Sequence, residues 1–182
     1  MRSFGAVTGR IYGWLYGRSK SNGIVVDAAE LSADDRALEV GCGPGAAVAL
    51  VAENIGADRV AAVDPSATFV DMVRKRVPGV DARVGSAENL PFDDGTFTVI
   101  FSLASMHHWP DRDAGLTSLT AKLAPSGRLL IAERLLKKPG HGITAEQASE
   151  VVTRLSDLGH TDVRTIQCPY GRKTMMLIHA SQ

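Results

Sequence analysis

Only two cysteines occur among the 182 residues. Cys42 and Cys168 lie far apart, in no CxxC or Cys/His spacing. They outline neither a disulfide framework nor a zinc site, and a reducing cytoplasm is the expected compartment. No run approaches the roughly 18 apolar residues that a membrane span needs, so no stable membrane insertion is expected. An excess of one charge is missing too. Lysine plus arginine number 20 and aspartate plus glutamate number 20, which leaves no global field to hold a phosphate backbone; no nucleic-acid partner is expected. The N-terminus is basic (Arg2, Arg10, Arg18, Lys20) but lacks the apolar block of a secretory signal, and it is read as part of the mature protein. Internal repeats and low-complexity tracts are absent as well. The length suits one domain, expected as a monomer or homodimer.

What is present is alternation. From about residue 36 onward, short β-branched runs alternate with helical patterns, the sequence form of βαβ units around a mostly parallel sheet. Strands are expected at Ala37–Val40, Arg59–Val63, Ala82–Val84, Phe97–Ser102 and Arg128–Glu133. Helices are expected at Pro44–Ile55, Ser66–Arg76, Asp111–Leu123 and Thr144–Leu158, the third stopped by a Pro125-Ser126-Gly127 turn. Two further strands, near Asp162–Gln167 and Thr174–Ile178, are joined too briefly for a parallel crossover and should pair antiparallel. Residues 1–35 read as an N-terminal helical segment or lid and residues 36–182 as the main domain. Gly5, Gly9, Gly13 and Gly17 recur on one face there, which makes Met1–Lys20 either a weak helix packed on the domain or a mobile cover carrying Trp14 and Tyr16.

The strongest signal is Leu38-Glu39-Val40-Gly41-Cys42-Gly43-Pro44-Gly45, where the first strand meets the first helix. Three glycines at such a junction let the backbone come close to a ligand, and the helix start presents unpaired amides. A dinucleotide fold wants GxGxxG, whereas this chain has Gly41-x-Gly43-x-Gly45 with alanines at 46 and 47. Asp64 closes the second strand in Val63-Asp64-Pro65-Ser66. An acid at that tip can accept both hydroxyls of a ribose, whichever nucleoside carries it. Its bland alternative is to stabilise the start of the next helix. In an open α/β sheet, ligands lie over the carboxyl ends of the strands. The loop Ser102-Leu103-Ala104-Ser105-Met106-His107-His108-Trp109 after the fourth strand is therefore where catalytic residues are sought.

GxGxG preceded by Glu39 resembles the first motif of the class I S-adenosylmethionine-dependent methyltransferases, whose Rossmann-like fold ends a parallel sheet with one reversed strand. Gly85-Ser86-Ala87-Glu88-Asn89-Leu90-Pro91-Phe92 and His107-His108-Trp109 resemble the branch that includes the C-methyltransferases of ubiquinone and menaquinone synthesis. There an aspartate often follows the glycine; Ser86 stands here. The resemblance implies S-adenosylmethionine as cofactor, with S-adenosylhomocysteine as product. It implies backbone approach at Gly41, Cys42, Gly43 and Gly45, and Glu39 orienting that loop or the amino acid part. Asp64, Pro65 and Ser66 would lie at the ribose, Phe69 on the adenine face, and Ser86, Ala87 and Glu88 at the adenine edge. Ser102, Leu103 and Met106 would back the methionine part. No metal site is expected.

Such chemistry needs a small-molecule acceptor held in line with the carbon–sulfur bond, and a base only if the acceptor must lose a proton. His107 or His108 is the optional base; adjacent residues point in different directions, so one of them at most readily faces the acceptor. The Asn/Asp-Pro-Pro-aromatic motif of nucleobase amine methylation, the acidic pair of arginine methylation and the carboxylate cluster of metal-dependent catechol methylation are all missing. A non-catalytic S-adenosylmethionine-binding module and an NAD-dependent oxidoreductase are the alternatives; GxGxG in place of GxGxxG speaks against the latter. The segment between Leu135 and Thr144 is short, so the acceptor pocket is expected from the N-terminal segment and the loop after the fourth strand.

Overall fold

The computed structural model describes residues 20–182. The expectations for residues 1–19, including the glycine repeat, Trp14 and Tyr16, lie outside the described residues. Among the described residues, five helices and eight strands follow in chain order: α1 (Lys20–Ala28), β1 (Ala37–Val40), α2 (Ala46–Ile55), β2 (Val60–Asp64), α3 (Ala67–Arg76), β3 (Asp81–Val84), β4 (Phe97–Leu103), α4 (Arg112–Lys122), β5 (Leu123–Leu136), β6 (Ile143–Thr144), α5 (Ala145–Asp157), β7 (Thr161–Tyr170) and β8 (Lys173–Ser181). Short 3-10 turns occupy Ala57–Arg59 and Met106–His108.

The main path of the sheet runs β3-β2-β1-β4-β5-β8-β7, with β6 beside β5. Strands β1 to β5 pair in parallel, whereas β8 runs against both β5 and β7. The Rossmann-like class I methyltransferase fold with its reversed terminal strand is therefore present. The order changes direction between β1 and β4, so a crevice opens at their carboxyl ends.

Period-two alternation builds a core on each face. Leu38, Val63, Ile100, Leu129, Ile131 and Ile178 face one way, towards Leu116 and Leu119 of α4 and Val151 and Leu155 of α5. Ala37, Ala62, Val99, Leu130 and Leu177 face the other, towards Val25 of α1, Val48 and Val51 of α2, and Val70 and Val73 of α3. Helix α1 is thus part of the second core. Among the described residues, no helix is long and apolar enough to cross a membrane.

Helix ends follow local chemistry. Ser66 and Asp111 accept the Phe69 and Ala114 amides, and Thr144 forms a capping box with Gln147 at the start of α5. The expected Pro125-Ser126-Gly127 turn is absorbed differently. Strand β5 begins already at Leu123, and the step from Phe97 to Val99 on β4 is matched by the step from Leu123 to Arg128 on β5. The extra residues form an irregularity with Ser126 at φ 61°.

Candidate active site

The glycine turn sits at the crevice, and its three glycines have three different reasons to be there. Gly41, Gly43 and Gly45 all have positive φ, at 75°, 50° and 76°. A Cβ on Gly41 would fall 1.8 Å from the Ser105 hydroxyl oxygen, so this residue admits the loop after β4. On Gly45 it would fall 2.7 Å from Val73 Cγ2, so that residue admits helix α3. On Gly43 it would meet nothing within 4 Å. Of the three, Gly43 alone has open space where a side chain would stand, while Gly41 and Gly45 pack against the loop after β4 and helix α3.

Two buried carboxylates flank this turn. Asp64 accepts the Gly43 amide through Oδ2 at 2.9 Å and the Ser66 amide through Oδ1 at 2.8 Å. Burial raises its pKa, and those two amides work in the opposite direction. Each oxygen keeps a further lone pair for an external donor. The Asp64 side chain therefore fixes the glycine turn as well as lying beside it. Glu39, on the α2 side of the sheet, is fully enclosed. Burial holds its carboxyl well above the ordinary range, a backbone hydrogen bond at Val48 in the first turn of α2 lowers it, and the Asp64 charge raises it further. Its Oε2 has no hydrogen-bond partner among the described residues. Cys42 is buried in the second core, and burial with the charges of Glu39 and Asp64 pushes its thiol well up.

The other expected cofactor contacts surround this centre. Pro65 is exposed, while Ser66 and Phe69 are buried at the start of α3. Ser86 forms an isolated bridge with Asn89, and Ala87 is buried in the first core. Glu88 Oε1 accepts the Asp111 amide at 3.2 Å, which braces the start of α4. Ser102 is buried at the carboxyl end of β4 with its hydroxyl unpartnered among the described residues. Leu103 packs partly against the second core. Met106 is enclosed in the first core, so its side chain supports the loop from below.

The loop after β4 is held at every step. Ala104 takes a left-handed φ of 49° while its amide bonds Ala132 at 2.8 Å. Ser105 lies against Gly41, and Trp109 donates to the Ser105 hydroxyl at 3.3 Å. The Trp109 ring lies so close to Gly115 of α4 that a Cβ there would fall 2.6 Å from it. The two histidines between them differ. His107 is nearly buried, and its Nδ1 lies 2.8 Å from Glu133 Oε2 while its amide donates to Glu133 Oε1 at 3.1 Å. Because a carboxylate accepts, Nδ1 is the donor of this pair, and in the neutral ring the lone pair then lies on Nε2. His108 is exposed; burial of its ring, then the neighbouring His107 and His141, lowers its pKa against the pull of Glu133.

Glu133, which holds His107, was missed by sequence reasoning. Its signal was a lone carboxylate closing the otherwise apolar run Leu129–Ala132, at a strand end that faces the crevice. His141 was missed too. It comes from the connection between β5 and β6, and its ring centroid lies 5.7 Å from those of both His107 and His108. The short segment expected to contribute little thus brings His141 beside the loop after β4.

The residues present fit an S-adenosyl ligand: an open approach at Gly43, an orphaned buried carboxyl oxygen on Glu39, and a fixed carboxylate with spare acceptor capacity on Asp64. Comparison with known proteins agrees. Methyltransferase GfsG of Streptomyces halstedii is 35% identical over 114 residues, covering 59% of this chain and 41% of the relative. The uncharacterized protein YafE of Escherichia coli strain K12 is 34% identical over 114 residues, covering 60% and 53%. The chain spans about half the length, or less, of the curated relatives it matches. A crystal structure of an S-adenosylmethionine-dependent methyltransferase from Aquifex aeolicus superposes with a TM-score of 0.76 at 17% identity, covering 98% of this chain and 99% of that one. The model of the methyltransferase domain matches residues 38–131, more than half of the chain, and with this fold and this glycine turn the chain belongs to the methyltransferase-domain family of class I, S-adenosylmethionine-dependent enzymes.

Proposed function

We propose that this chain transfers a methyl group from S-adenosylmethionine to a small-molecule acceptor by in-line displacement, with His107 as the base when the acceptor carries a proton. The observation that supports this best is the arrangement at Gly43. A side chain there would meet nothing within 4 Å, its amide is tethered to Asp64, and Glu39, four residues earlier in the chain, keeps a buried oxygen unpartnered among the described residues. S-adenosylmethionine, when bound, supplies an electrophilic methyl whose departure leaves a neutral thioether, so orientation counts for more than acid catalysis.

The chain's residues have separable tasks in this reading. Asp64 takes the ribose hydroxyls, and Glu39 Oε2 receives a donor from the amino acid part. Phe69, Ser86 and Ala87 line the adenine. Glu133 keeps the His107 proton on Nδ1, and Nε2 removes the acceptor proton as the new bond forms. Residues 36–182 act as one methyltransferase unit. We place it in the branch of the ubiquinone and menaquinone C-methyltransferases on Gly85–Phe92 and the His107-His108-Trp109 sequence.

Calorimetric titration with S-adenosylhomocysteine tests the first half, and saturable micromolar binding is expected. Absence of binding to the folded protein overturns it. Turnover of labelled cofactor on a metabolite extract, with products identified by mass, tests the second half. Binding without any product would favour a non-catalytic S-adenosylmethionine module instead.

A further inference from the structure

Three imidazoles meet at the mouth of the crevice. His107 and His108 come from the 3-10 turn after β4, and His141 comes from the connection that follows β5. The ring centroids of His107 and His108 are 3.9 Å apart, and each lies 5.7 Å from that of His141. One ring nitrogen from each residue lies within 4.8 Å of the other two. A tetrahedral ion with bonds of about 2.0 Å wants its nitrogens roughly 3.3 Å apart. Rotation of the two exposed rings, His108 and His141, is the movement needed to close that gap.

We propose that His107, His108 and His141 form a binding site for a divalent transition-metal ion of the zinc type. Three arguments carry it. The donor set is three imidazoles, which suits zinc, copper, nickel or iron; magnesium and calcium prefer an oxygen cage. His107 also already has the partner that histidine ligands of metals usually have. Its Nδ1 is bound by the buried Glu133 at 2.8 Å, which fixes the ring and leaves Nε2 as the coordinating atom. Lastly, three protein ligands leave a fourth position open on the solvent side, where His108 and His141 are exposed.

The site has a consequence for the activity proposed above, and that part alone rests on it. Metal and acceptor proton need the same lone pair on His107 Nε2. An ion held there blocks the base, so metal binding inhibits turnover of proton-bearing acceptors and leaves cofactor binding unchanged.

The test uses tag-free, metal-stripped protein titrated with zinc by calorimetry, and with cobalt followed by its visible absorption. One saturable equivalent per chain is expected, with the intense bands of tetrahedral cobalt. His141→Ala should weaken zinc binding by roughly tenfold or more, and Glu133→Gln by about 10–100-fold, the usual range for a residue behind the ligand. His141→Ala should keep the wild-type melting temperature and S-adenosylhomocysteine affinity. No saturable zinc binding by the wild type, or binding unchanged in both variants, overturns the site. S-adenosylhomocysteine titration of metal-free wild type reports separately on the methyltransferase reading, so the two can fail independently.

Discussion

Glu133 grips His107 twice, through the ring nitrogen Nδ1 at 2.8 Å and through the backbone amide at 3.1 Å, so one buried carboxylate sets both the tautomer of the ring and the position of its loop. Glu133→Gln separates the two effects. Its amide oxygen can still accept the His107 amide, but its NH2 group donates to Nδ1 and moves the ring proton to Nε2. The melting temperature should change little. Turnover of a proton-bearing acceptor should fall by about two to four orders of magnitude, and the acidic limb of the rate–pH profile should flatten. Unchanged kcat and an unchanged limb would remove His107 from proton transfer.

Two glycines of the turn, Gly43 and Gly45, should respond differently to alanine. Gly43→Ala should cost about 1 kcal/mol of stability for its left-handed backbone and should weaken S-adenosylhomocysteine binding strongly, since the new methyl group points into the open approach. Gly45→Ala should be the more destabilising, because its methyl group meets Val73, and Val73→Ala should restore part of the loss. Thermal melts alongside calorimetry check both. Equal effects of the two substitutions on affinity and stability would contradict the division of labour.

Asp64→Ala should weaken cofactor binding by roughly 1–3 kcal/mol, the scale of a charged hydrogen-bond acceptor lost from a ligand. It should also loosen the glycine turn, because the Gly43 and Ser66 amides both end on this carboxylate. Asp64→Asn keeps the shape and one acceptor oxygen, so its loss of affinity should be smaller. A dissociation constant identical to wild type in both variants would place the ribose elsewhere.

Far from the crevice, Arg128 of β5 clamps the connection between α1 and β1. It bonds the Ala29 and Glu30 carbonyls and both oxygens of Asp35. Burial raises the Asp35 pKa, but hydrogen bonds from Arg128, the Ser32 amide and Thr98 outweigh it, and the result lies below the ordinary 3.8. A carboxyl depressed on folding contributes stability that is present above its unfolded pKa and lost as pH falls through the folded one. Asp35→Asn should therefore lower stability at pH 7 by about 1–3 kcal/mol. The gap to wild type should begin to narrow in melts taken below about pH 4, where the unfolded carboxyl takes up its proton, and close only once the pH is below the depressed folded value. A gap that persists there would assign the loss to packing.

Much of this was legible in the residues. Glycines, prolines and β-branched runs placed β1 to β5 and α2 to α5 to within a few residues at most ends, because local turn chemistry and burial on both faces agree there. The antiparallel pairing of β7 with β8 followed from a connection too short to cross over. The start of β5 was less legible. Pro125, Ser126 and Gly127 carry the composition of a turn, and only pairing with β4 lets the strand run through them as an irregularity. At the site, the positions of Asp64 and Glu39 could be read, but the separate reasons for Gly41, Gly43 and Gly45 could not, since each depends on an element distant in sequence. The same limit hid the Glu133–His107 pair and the approach of His141: a tertiary contact leaves no periodic trace.

The reversed strand at the end of the sheet also sets an order of events during synthesis. Strand β5 lies between β4 and β8, so its second edge stays without its final neighbour until residues 173–181 have been made, after α5 and β7. Through that interval the apolar run Leu129–Ala132 presents open backbone groups on that side, the kind of edge that recruits a strand from another molecule. Loss of β8 to a nonsense mutation or a protease should therefore appear first as aggregation of the nascent or clipped chain, before any question of catalysis arises.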